Sequence, residues 1–321
     1  MRQTVEKVKH LFVKRPSLLV TDEAYQLASL RYAPEMADVI WEVKRAFAQN
    51  ILPEASPHGA CGTFFLKSCE HQPIAVFKRD QYRREVAAFR LDHERFAGVP
   101  PTVVTTLEHP IWGGKATGSC QYFMPDTITV VEAQSADLSH FSATCVRRIA
   151  SLDIRLMNED RHTSNILVSS CRRLLTPIDH GFIFAQDLSG VHFDWLPWEQ
   201  AGTPFNDREL SYISFLDPQR DRNLLIDELG IEERRANRLF VATVLLQMGA
   251  LRRFTALELG KILSRKRLGL LRKDIVPSYF EMLLEKLKER NPPNWTIFSR
   301  IVYEEVQRTL DDYEKTAPER G

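Results

Sequence analysis

The spacing of apolar residues predicts strands in the first part of the chain and helices in the rest. Between Pro34 and Leu52, apolar side chains recur every three or four residues, which predicts an amphipathic helix. A second helix is predicted over Tyr82–Phe96 and a loop over Thr106–Gly118. Short apolar or β-branched runs predict four strands, at Thr63–Leu66, Ile74–Lys78, Thr102–Leu107 and Ser119–Phe123.

Helical periodicity dominates the second part of the chain. Apolar residues spaced from Phe141 to Leu156 predict a helix that leads the chain to Asp160. A short apolar hairpin is predicted between Asn165 and Asp179. Further helices are predicted over Glu233–Leu246, from a capping box at Thr255–Glu258, over Ile275–Arg290 with Pro277 in its first turn, and over Ile297–Tyr313.

Length and composition indicate a globular protein that is large enough for two lobes. The chain has 321 residues, of which 44% are hydrophobic and 26% charged. The 43 basic and 42 acidic residues give a net charge of +1, so nothing indicates a nucleic-acid partner. No apolar run is long enough to predict a transmembrane segment, and the charged N-terminus does not read as a signal peptide. Five cysteines without a CxxC pair favour reduced thiols, which predicts a cytoplasmic protein.

Two basic stretches of the sequence are compatible with a peripheral contact with a membrane. Residues 1–34 include a basic amphipathic helix, which either packs on its own domain or lies on an anionic membrane surface. A second basic cluster is either a solvated face or a site for phospholipid headgroups, and consists of Arg265, Lys266, Arg267, Arg272 and Lys273.

The stretch Leu152–Phe184 carries the strongest chemical signal. Asn165 lies five residues after Asp160, and Asp179 lies fourteen residues after Asn165. Kinases transfer phosphoryl groups with an aspartate that accepts the proton of the acceptor hydroxyl, followed by an asparagine and a second aspartate that hold magnesium. The order and spacing of these residues predict that chemistry.

A glycine turn, a lysine and a glutamate precede that stretch in the order that kinases use. Gly59 and Gly62 come just before the strand that begins at Thr63, and Lys78 ends the next strand. Glycine lets backbone N–H groups approach phosphate, although a GxxG alone also fits an ordinary hairpin turn. Glu85, on the following helix, is the predicted ion-pair partner of Lys78. An exposed surface pair is the alternative interpretation.

Several longer stretches resemble the phosphatidylinositol 3-/4-kinase family, in particular its gamma-type 4-kinases and their short relatives. The resemblance covers about residues 35–290 and includes ILPEASPHGACGTFFLK, AVFK, REVAAFRLDHERFAGVPPT, SLDIRLMNEDRHTSNILV, PIDHGFIF and FDWLPWEQA. It implies an α+β, bilobal protein-kinase-like fold whose N-lobe is an antiparallel sheet with a helix and whose C-lobe is mostly helical. The implied divisions are an N-terminal helical extension (1–34), an N-lobe (35–125), a C-lobe (126–314) and a tail (315–321).

The resemblance also implies roles for single residues. Asp160 would orient or deprotonate the acceptor hydroxyl, His162 would contact the γ-phosphate, and Asn165 and Asp179 would bind Mg²⁺, with Mn²⁺ as the alternative ion. Residues expected to contact ATP are Gly59, Gly62, Thr63, Lys78, Glu85, Tyr122, Phe123, Met124 and Ile178. Two departures are the link between Lys78 and Glu85, which is shorter than gamma-type enzymes generally have, and Cys61 inside the glycine loop.

Three functions follow from this pattern. The first is a lipid kinase that phosphorylates phosphatidylinositol, and the second is a protein serine/threonine kinase on the same scaffold. The third is a non-catalytic ATP-binding scaffold protein, against which the full set of catalytic residues argues.

The segment after the second motif bears on the acceptor. Phe182–Gln200 contains no lysine or arginine, so a lipid acceptor would be phosphatidylinositol without extra phosphates. Trp195 and Trp198 are interpreted as packing anchors, although a lipid acceptor would also hold its apolar tails near them.

Overall fold

The computed structural model describes residues 30–56, 62–133, 141–169, 174–184, 188, 190–267 and 275–316. The strands are β1 (Glu54–Ala55), β2 (Thr63–Lys67), β3 (Pro73–Lys78), β4 (Thr102–His109), β5 (Gly114–Tyr122), β6 (Thr127–Thr129), β7 (Ile166–Ser169), β8 (Leu175–Pro177), β9 (Lys266–Arg267) and β10 (Ile275–Val276). The α-helices are α1 (Met36–Ala48), α2 (Tyr82–Leu91), α3 (Ala143–Leu156), α4 (Asp207–Phe215), α5 (Pro218–Asn223), α6 (Glu233–Leu251), α7 (Ala256–Leu263), α8 (Tyr279–Glu289) and α9 (Trp295–Thr316).

The N-terminal lobe is built on an antiparallel sheet of five strands in the order β1-β2-β3-β5-β4. Lys78 ends β3 between Thr63 of β2 and Ser119 of β5. Gly118 on β5 allows this close approach, because a Cβ atom there would lie 2.4 Å from the carbonyl oxygen of Lys78. Helices α1 and α2 complete the lobe.

The segment Thr106–Gly118 is a hairpin, and the predicted loop there is wrong. Strand β4 continues to His109 and β5 begins at Gly114, so only a single 3₁₀ turn, Pro110–Trp112, and Gly113 connect them. Gly113 has a φ of 74°, which suits a residue without a side chain. The hydroxyls of Thr106 and Thr117 pair across the hairpin at 2.8 Å, and the Gly113-Gly114 pair that suggested a loop lies at its turn.

Helix α2 ends earlier than the apolar pattern predicts. It stops at Leu91, because the buried Asp92 turns the chain and accepts backbone hydrogen bonds of 2.7, 2.9 and 2.9 Å from Ala97, Gly98 and Val99. The predicted extension to Phe96 is therefore wrong, and residues His93–Arg95 form a 3₁₀ turn.

The C-terminal lobe is mostly helical and packs around α3 and α6, whose apolar residues are largely buried. The capping box at Thr255 is confirmed and opens α7. Helix α8 begins at Tyr279, so the predicted start at Ile275 is wrong. Ser278 caps α8 with its hydroxyl, and residues Ile275–Val276 pair with β9 instead.

A three-stranded sheet, β6-β7-β8, carries the predicted hairpin between the two chemical motifs. The fold is thus the α+β, bilobal, protein-kinase-like architecture that the resemblance implies, with an antiparallel N-terminal sheet and a helical C-terminal lobe. The proposed lobe boundary at residue 125 stays a prediction. Within the described ranges, no helix has the length and apolar character needed to span a membrane.

The two basic stretches fall largely outside the described residues. Of the N-terminal extension, only residues 30–34 are described. In the second cluster, Arg265 forms an ion pair with Glu281, while Arg272 and Lys273 lie outside the described residues. Cys69, Cys120 and Cys145 are free thiols, as predicted, and Cys61 and Cys171 are not described.

Candidate active site

Lys78 lies between two carboxylates in the cleft between the lobes. Its Nζ atom is 2.7 Å from Oε1 of Glu85 and 2.8 Å from Oδ1 of Asp179. The pairing of Lys78 with Glu85 was the predicted one, and here it is a buried contact, since the two side chains are 15% and 2% exposed. The structure therefore joins the strand lysine, the helix glutamate and the second motif at one point.

Backbone groups hold this cluster in place. The N–H of His180 donates to both carboxylate oxygens of Glu85 at 3.1 Å, and Arg84 donates to the carbonyl of Gly181 at 2.8 Å. Asp179 has a left-handed backbone with a φ of 54°, which is uncommon for a residue with a side chain. That conformation accompanies its position facing Lys78.

The electrostatics of the cluster favour a charged lysine. Burial lowers the pKa of Lys78, but the carboxylates of Glu85 and Asp179 outweigh it, so the pKa is raised. Burial raises the pKa of Asp179, but the Lys78 ammonium outweighs it and leaves the pKa lowered. The fully buried Glu85 has a raised pKa because of desolvation, which Lys78 partly offsets. A persistent positive charge therefore faces the cleft.

Of the residues predicted to contact the nucleotide, Thr63 and Gly62 lie beside the end of β3. Thr63 pairs with Lys78 in the β2–β3 ladder, and the carbonyl of Gly62 accepts from the N–H of Arg79 at 3.2 Å. Gly62 has a φ of 118°, a conformation open to glycine. Gly59 lies outside the described residues.

At the end of β5, two of the backbone N–H groups predicted to face the adenine of ATP are already hydrogen-bonded. The N–H groups of Tyr122 and Phe123 already donate to the carbonyls of Pro101 and Ile74, at 2.8 and 3.1 Å. A nucleotide base beside this segment could therefore not use these two N–H groups.

The loop that follows α3 brings Asp160, His162 and Asn165 together. Nε2 of His162 is 2.9 Å from Oδ1 of Asp160. Nδ2 of Asn165 donates to the carbonyl oxygen of Asp160 at 2.8 Å and to its Oδ2 at 3.3 Å. Asp160 remains one-third exposed, so its carboxylate is held in place and still accessible from the cleft.

Arg161, to which the sequence analysis gave no role, anchors this loop through buried hydrogen bonds. Its guanidinium is fully buried and donates to the carbonyls of Asn165 and Ile178 at 2.6 and 2.7 Å. The same group donates from Nε to both oxygens of the buried Asp153 at 3.0 Å. Arg161 thereby ties the catalytic loop, at Asn165, to Ile178, the residue that directly precedes Asp179.

Asp153 and Asn158 complete the buried support. Asn158 donates to Asp153 at 3.1 Å and accepts from the N–H of Asp160 at 2.9 Å. A carboxylate among the apolar residues of α3 was a usable signal in the sequence, because a buried carboxylate needs a cationic partner.

The segment after the second motif also contacts the catalytic loop. Oδ2 of Asp194 accepts from the N–H of Thr163 at 2.7 Å, and Oδ1 lies 2.7 Å from Nε2 of His192. Burial raises the pKa of Asp194, but these hydrogen bonds and the nearby His162 outweigh it, so the pKa is lowered. Asp194 is therefore a charged link between the two segments.

Both tryptophans of this segment are packing anchors, as interpreted from the sequence. Trp195 is fully buried and stacks on Phe193, and Trp198 packs against Phe141 with 6% exposure. The alternative, in which lipid tails rest on these two side chains, is wrong because neither indole is accessible.

The carboxylate of Asp179 and the amide of Asn165 provide oxygen ligands of the kind that Mg²⁺ prefers. Asn165 uses its amide nitrogen on Asp160, so its amide oxygen is the atom that it offers to a cation. Asp179 is 40% exposed on its side chain and carries a lowered pKa, so it is ionised near neutral pH. The residues present therefore fit a magnesium ion.

The fold and the arrangement of this cleft define the class of kinase-like proteins. Comparison with known sequences narrows the class further. The family described as "Phosphatidylinositol 3- and 4-kinase" matches residues 66–248, which is more than half of the chain, and the chain belongs to this family.

Among known proteins, the chain is similar to several plant phosphatidylinositol 4-kinases of the gamma type. Phosphatidylinositol 4-kinase gamma 1 of Arabidopsis thaliana is 38% identical over 203 residues, which cover 57% of this chain and 36% of that protein. Phosphatidylinositol 4-kinase gamma 5 of the same plant is 35% identical over 279 residues, or 70% of this chain and 44% of that protein. Phosphatidylinositol 4-kinase gamma 4 of rice (Oryza sativa subsp. japonica) is 30% identical over 282 residues, which cover 74% of this chain and 49% of that protein. The chain thus spans less than half the length of these relatives.

Proposed function

We propose that this protein is an ATP- and Mg²⁺-dependent kinase that phosphorylates phosphatidylinositol on the 4-hydroxyl of its inositol ring. The observation that carries the proposal is the contact of Lys78 with both Glu85 and Asp179, at 2.7 and 2.8 Å, in a cleft that also holds Asp160 and Asn165. A non-catalytic scaffold has no need to keep these side chains in contact.

Lys78 would bind the phosphate oxygens of ATP. An ammonium group has three donors, of which two serve Glu85 and Asp179, so one is left for the nucleotide. The raised pKa of Lys78 keeps this group charged, because the two carboxylates outweigh its burial. Because the charge is already in a fixed position, little free energy is needed to reorganise it when the phosphoryl group is transferred.

Asp160 would take the proton of the acceptor hydroxyl. As that proton moves to the carboxylate, the hydroxyl oxygen forms a bond to the γ-phosphorus, and the bond between the γ-phosphorus and the bridging oxygen of ADP breaks. Asn165 and His162 hold the two oxygens of Asp160 at 3.3 and 2.9 Å, which orients the carboxylate for this role. His162 is half exposed and would contact the γ-phosphate.

Asn165 and Asp179 would hold magnesium, and Mn²⁺ would be the alternative ion. A bound divalent cation supplies charge neutralisation for the phosphate oxygens. The contribution of the protein is the supply of one amide and one carboxylate oxygen from segments that Arg161 ties together at the carbonyls of Asn165 and Ile178.

Two observations support an acceptor without extra phosphates. The relatives are named phosphatidylinositol 4-kinases, and Phe182–Gln200 contains no lysine or arginine with which to bind further headgroup phosphates. Phe182, which directly follows Gly181, is 51% exposed and presents an apolar side chain beside the cleft. An apolar side chain at this position suits an acceptor that is embedded in a membrane.

The test is a transfer assay with labelled ATP and three acceptors offered separately: phosphatidylinositol vesicles, vesicles with a bisphosphorylated inositide, and a mixture of protein substrates. We expect labelled phosphatidylinositol 4-phosphate, a signal about 10²–10⁴-fold weaker with Asp160→Asn, and little product from the other acceptors. Preferential labelling of protein would instead establish a protein serine/threonine kinase, and preferential labelling of the bisphosphorylated lipid would contradict the acceptor assignment.

A further inference from the structure

Two histidines and an aspartate converge where the catalytic loop meets the segment after the second motif, and two of the three, His192 and Asp194, have no role in binding nucleotide or magnesium. They are His162 of that loop and His192 and Asp194 of the segment after the second motif. One ligand atom from each of the three lies within 4.8 Å of the other two. The imidazole rings of His162 and His192 are 5.2 Å apart between centroids. None of the functions proposed above uses this convergence.

The atoms that face the centre of the cluster are of the kind that coordinates metals. Nε2 of His162 is engaged with Asp160 at 2.9 Å, which leaves Nδ1 on the side of Asp194 at a distance of 3.8 Å. Oδ2 of Asp194 accepts from the N–H of Thr163, which leaves Oδ1 for the centre of the cluster. His192 points its Nε2 at the same Oδ1, at 2.7 Å.

This arrangement already contains the supporting contacts that metal sites require. A histidine that binds a metal through one ring nitrogen usually gives the other ring N–H to a carboxylate or carbonyl group, which fixes its tautomer. His162 has such a partner in Asp160, and the coordinating carboxylate has its own in the backbone of Thr163. Two of the three ligands are therefore oriented before any ion arrives.

We propose that His162, His192 and Asp194 bind a zinc ion and thereby link the catalytic loop to the segment that follows the second motif. Imidazole nitrogen suits Zn²⁺, whereas Mg²⁺ prefers oxygen ligands, so this site is distinct from the one at Asn165 and Asp179. Three protein ligands leave a fourth position, and both histidines are at least half exposed, so that position faces solvent.

Zinc at this position would reduce phosphoryl transfer. The ion would hold His162 through Nδ1 while its Nε2 stays on Asp160, so that neither ring nitrogen of His162 is left for the γ-phosphate. This effect rests on the proposed function, whereas zinc binding itself does not. A measurement of binding therefore separates failure of the site from failure of the kinase assignment.

Zinc affinity is measured on the full chain by competition with a chromophoric chelator, in magnesium buffer without added thiols. We expect one zinc ion per chain and a loss of affinity of about tenfold or more in His192→Asn. His71→Asn is the matched control, because His71 is exposed and distant in sequence and asparagine tolerates its positive φ of 63°. Equal zinc affinity in wild-type protein and His192→Asn would overturn the proposal.

Asp194→Asn provides a second variant that keeps an acceptor for the N–H of Thr163 but removes the charge. It is expected to weaken zinc binding as well, while its circular dichroism melt shows that it is folded. If neither His192→Asn nor Asp194→Asn changes the affinity, zinc binds elsewhere, for example to cysteine thiols. For the functional arm, the ratio of activity with and without zinc is compared within each variant, and a ratio unchanged by His192→Asn would rule out inhibition through this site.

Discussion

Nε1 of Trp195 donates a hydrogen bond of 3.0 Å to Oδ2 of Asp153, and both side chains are fully buried. The same carboxylate accepts from Arg161 and Asn158. The segment after the second motif, the helix before the catalytic loop and the loop itself therefore share one buried negative charge. Burial raises the pKa of Asp153, and its cationic and hydrogen-bonding partners counteract that rise.

Asp153→Asn is expected to destabilise the protein strongly. The substitution leaves the guanidinium of Arg161 buried without its counter-charge, and removal of one partner from a buried pair costs about 3–5 kcal/mol. Urea unfolding measures the change in the free energy of unfolding. Asp312→Asn makes the same chemical change in an exposed ion pair with Lys315, where less than about 1 kcal/mol is expected. Similar losses in the two variants would contradict the buried role of Asp153.

Asp160→Asn is expected to lower kcat by about 10²–10⁴-fold with little change in ATP affinity, because the carboxylate acts on the acceptor hydroxyl. Single-turnover kinetics and nucleotide binding measured on the same preparation separate the two effects. Asp312→Asn again serves as the control. A loss confined to ATP affinity would show that Asp160 has a structural role.

Asp179→Ala is expected to abolish transfer and to weaken magnesium-dependent nucleotide binding, because a cation ligand is removed. The fold should persist, since Lys78 keeps its buried contact with Glu85. Calorimetric titration of ATP with and without Mg²⁺ measures the effect. If the variant transfers phosphate at nearly the wild-type rate, the assignment of Asp179 to magnesium is wrong.

Because of His180, we expect the stability of the folded protein to decrease at acidic pH. Its ring is fully buried, and burial, with the charges of Arg161 and Lys78, lowers its pKa well below 6.5. The folded protein keeps this ring neutral while the unfolded chain takes up a proton below about pH 6.5, so the free energy of unfolding falls as the pH drops. One such proton accounts for up to about 1.4 kcal/mol per pH unit.

His180→Phe should therefore reduce the loss of stability on acidification. Urea unfolding at pH 7 and at about pH 5.5 gives the change in the free energy of unfolding for the wild type and for His180→Phe. Comparison of these two changes cancels any effect of repacking that does not depend on pH. An identical loss in wild type and His180→Phe would show that this histidine does not contribute.

The sequence predicted the chemical groups better than the contacts that hold them. Lys78, Glu85, Asp160, Asn165 and Asp179 were recognisable because kinase chemistry limits the residue types and their order. The chain distance between Lys78 and Glu85 is also short, so a strand followed by a helix brings them together.

Long-range support was not recognisable in the same way. Arg161 depends on Asp153 and on the carbonyl of Ile178, and Trp195 reaches Asp153 across 42 positions of the chain. Nothing in the local periodicity specifies such contacts. The hairpin over Thr106–Gly118 was missed because Gly113-Gly114 suggests a loop, whereas the structure confines the loop to a tight turn between two paired strands.

Helix α2 is attached to the helical lobe along its whole length, although it belongs in sequence to the sheet lobe. Arg84 holds the carbonyl of Gly181, Arg90 pairs with Glu228 at 2.7 Å, and the carbonyl of Leu91 accepts from Arg155 at 2.9 Å. Helix α2 also packs against β4 and β5 of the sheet, so a rotation of the sheet away from the helical lobe would have to break the contacts of α2 with one lobe or the other. The ion pair between Lys78 and Glu85 joins β3 to α2, so the distance between Nζ and Oε1 would show whether α2 moves with the sheet or stays with the helical lobe.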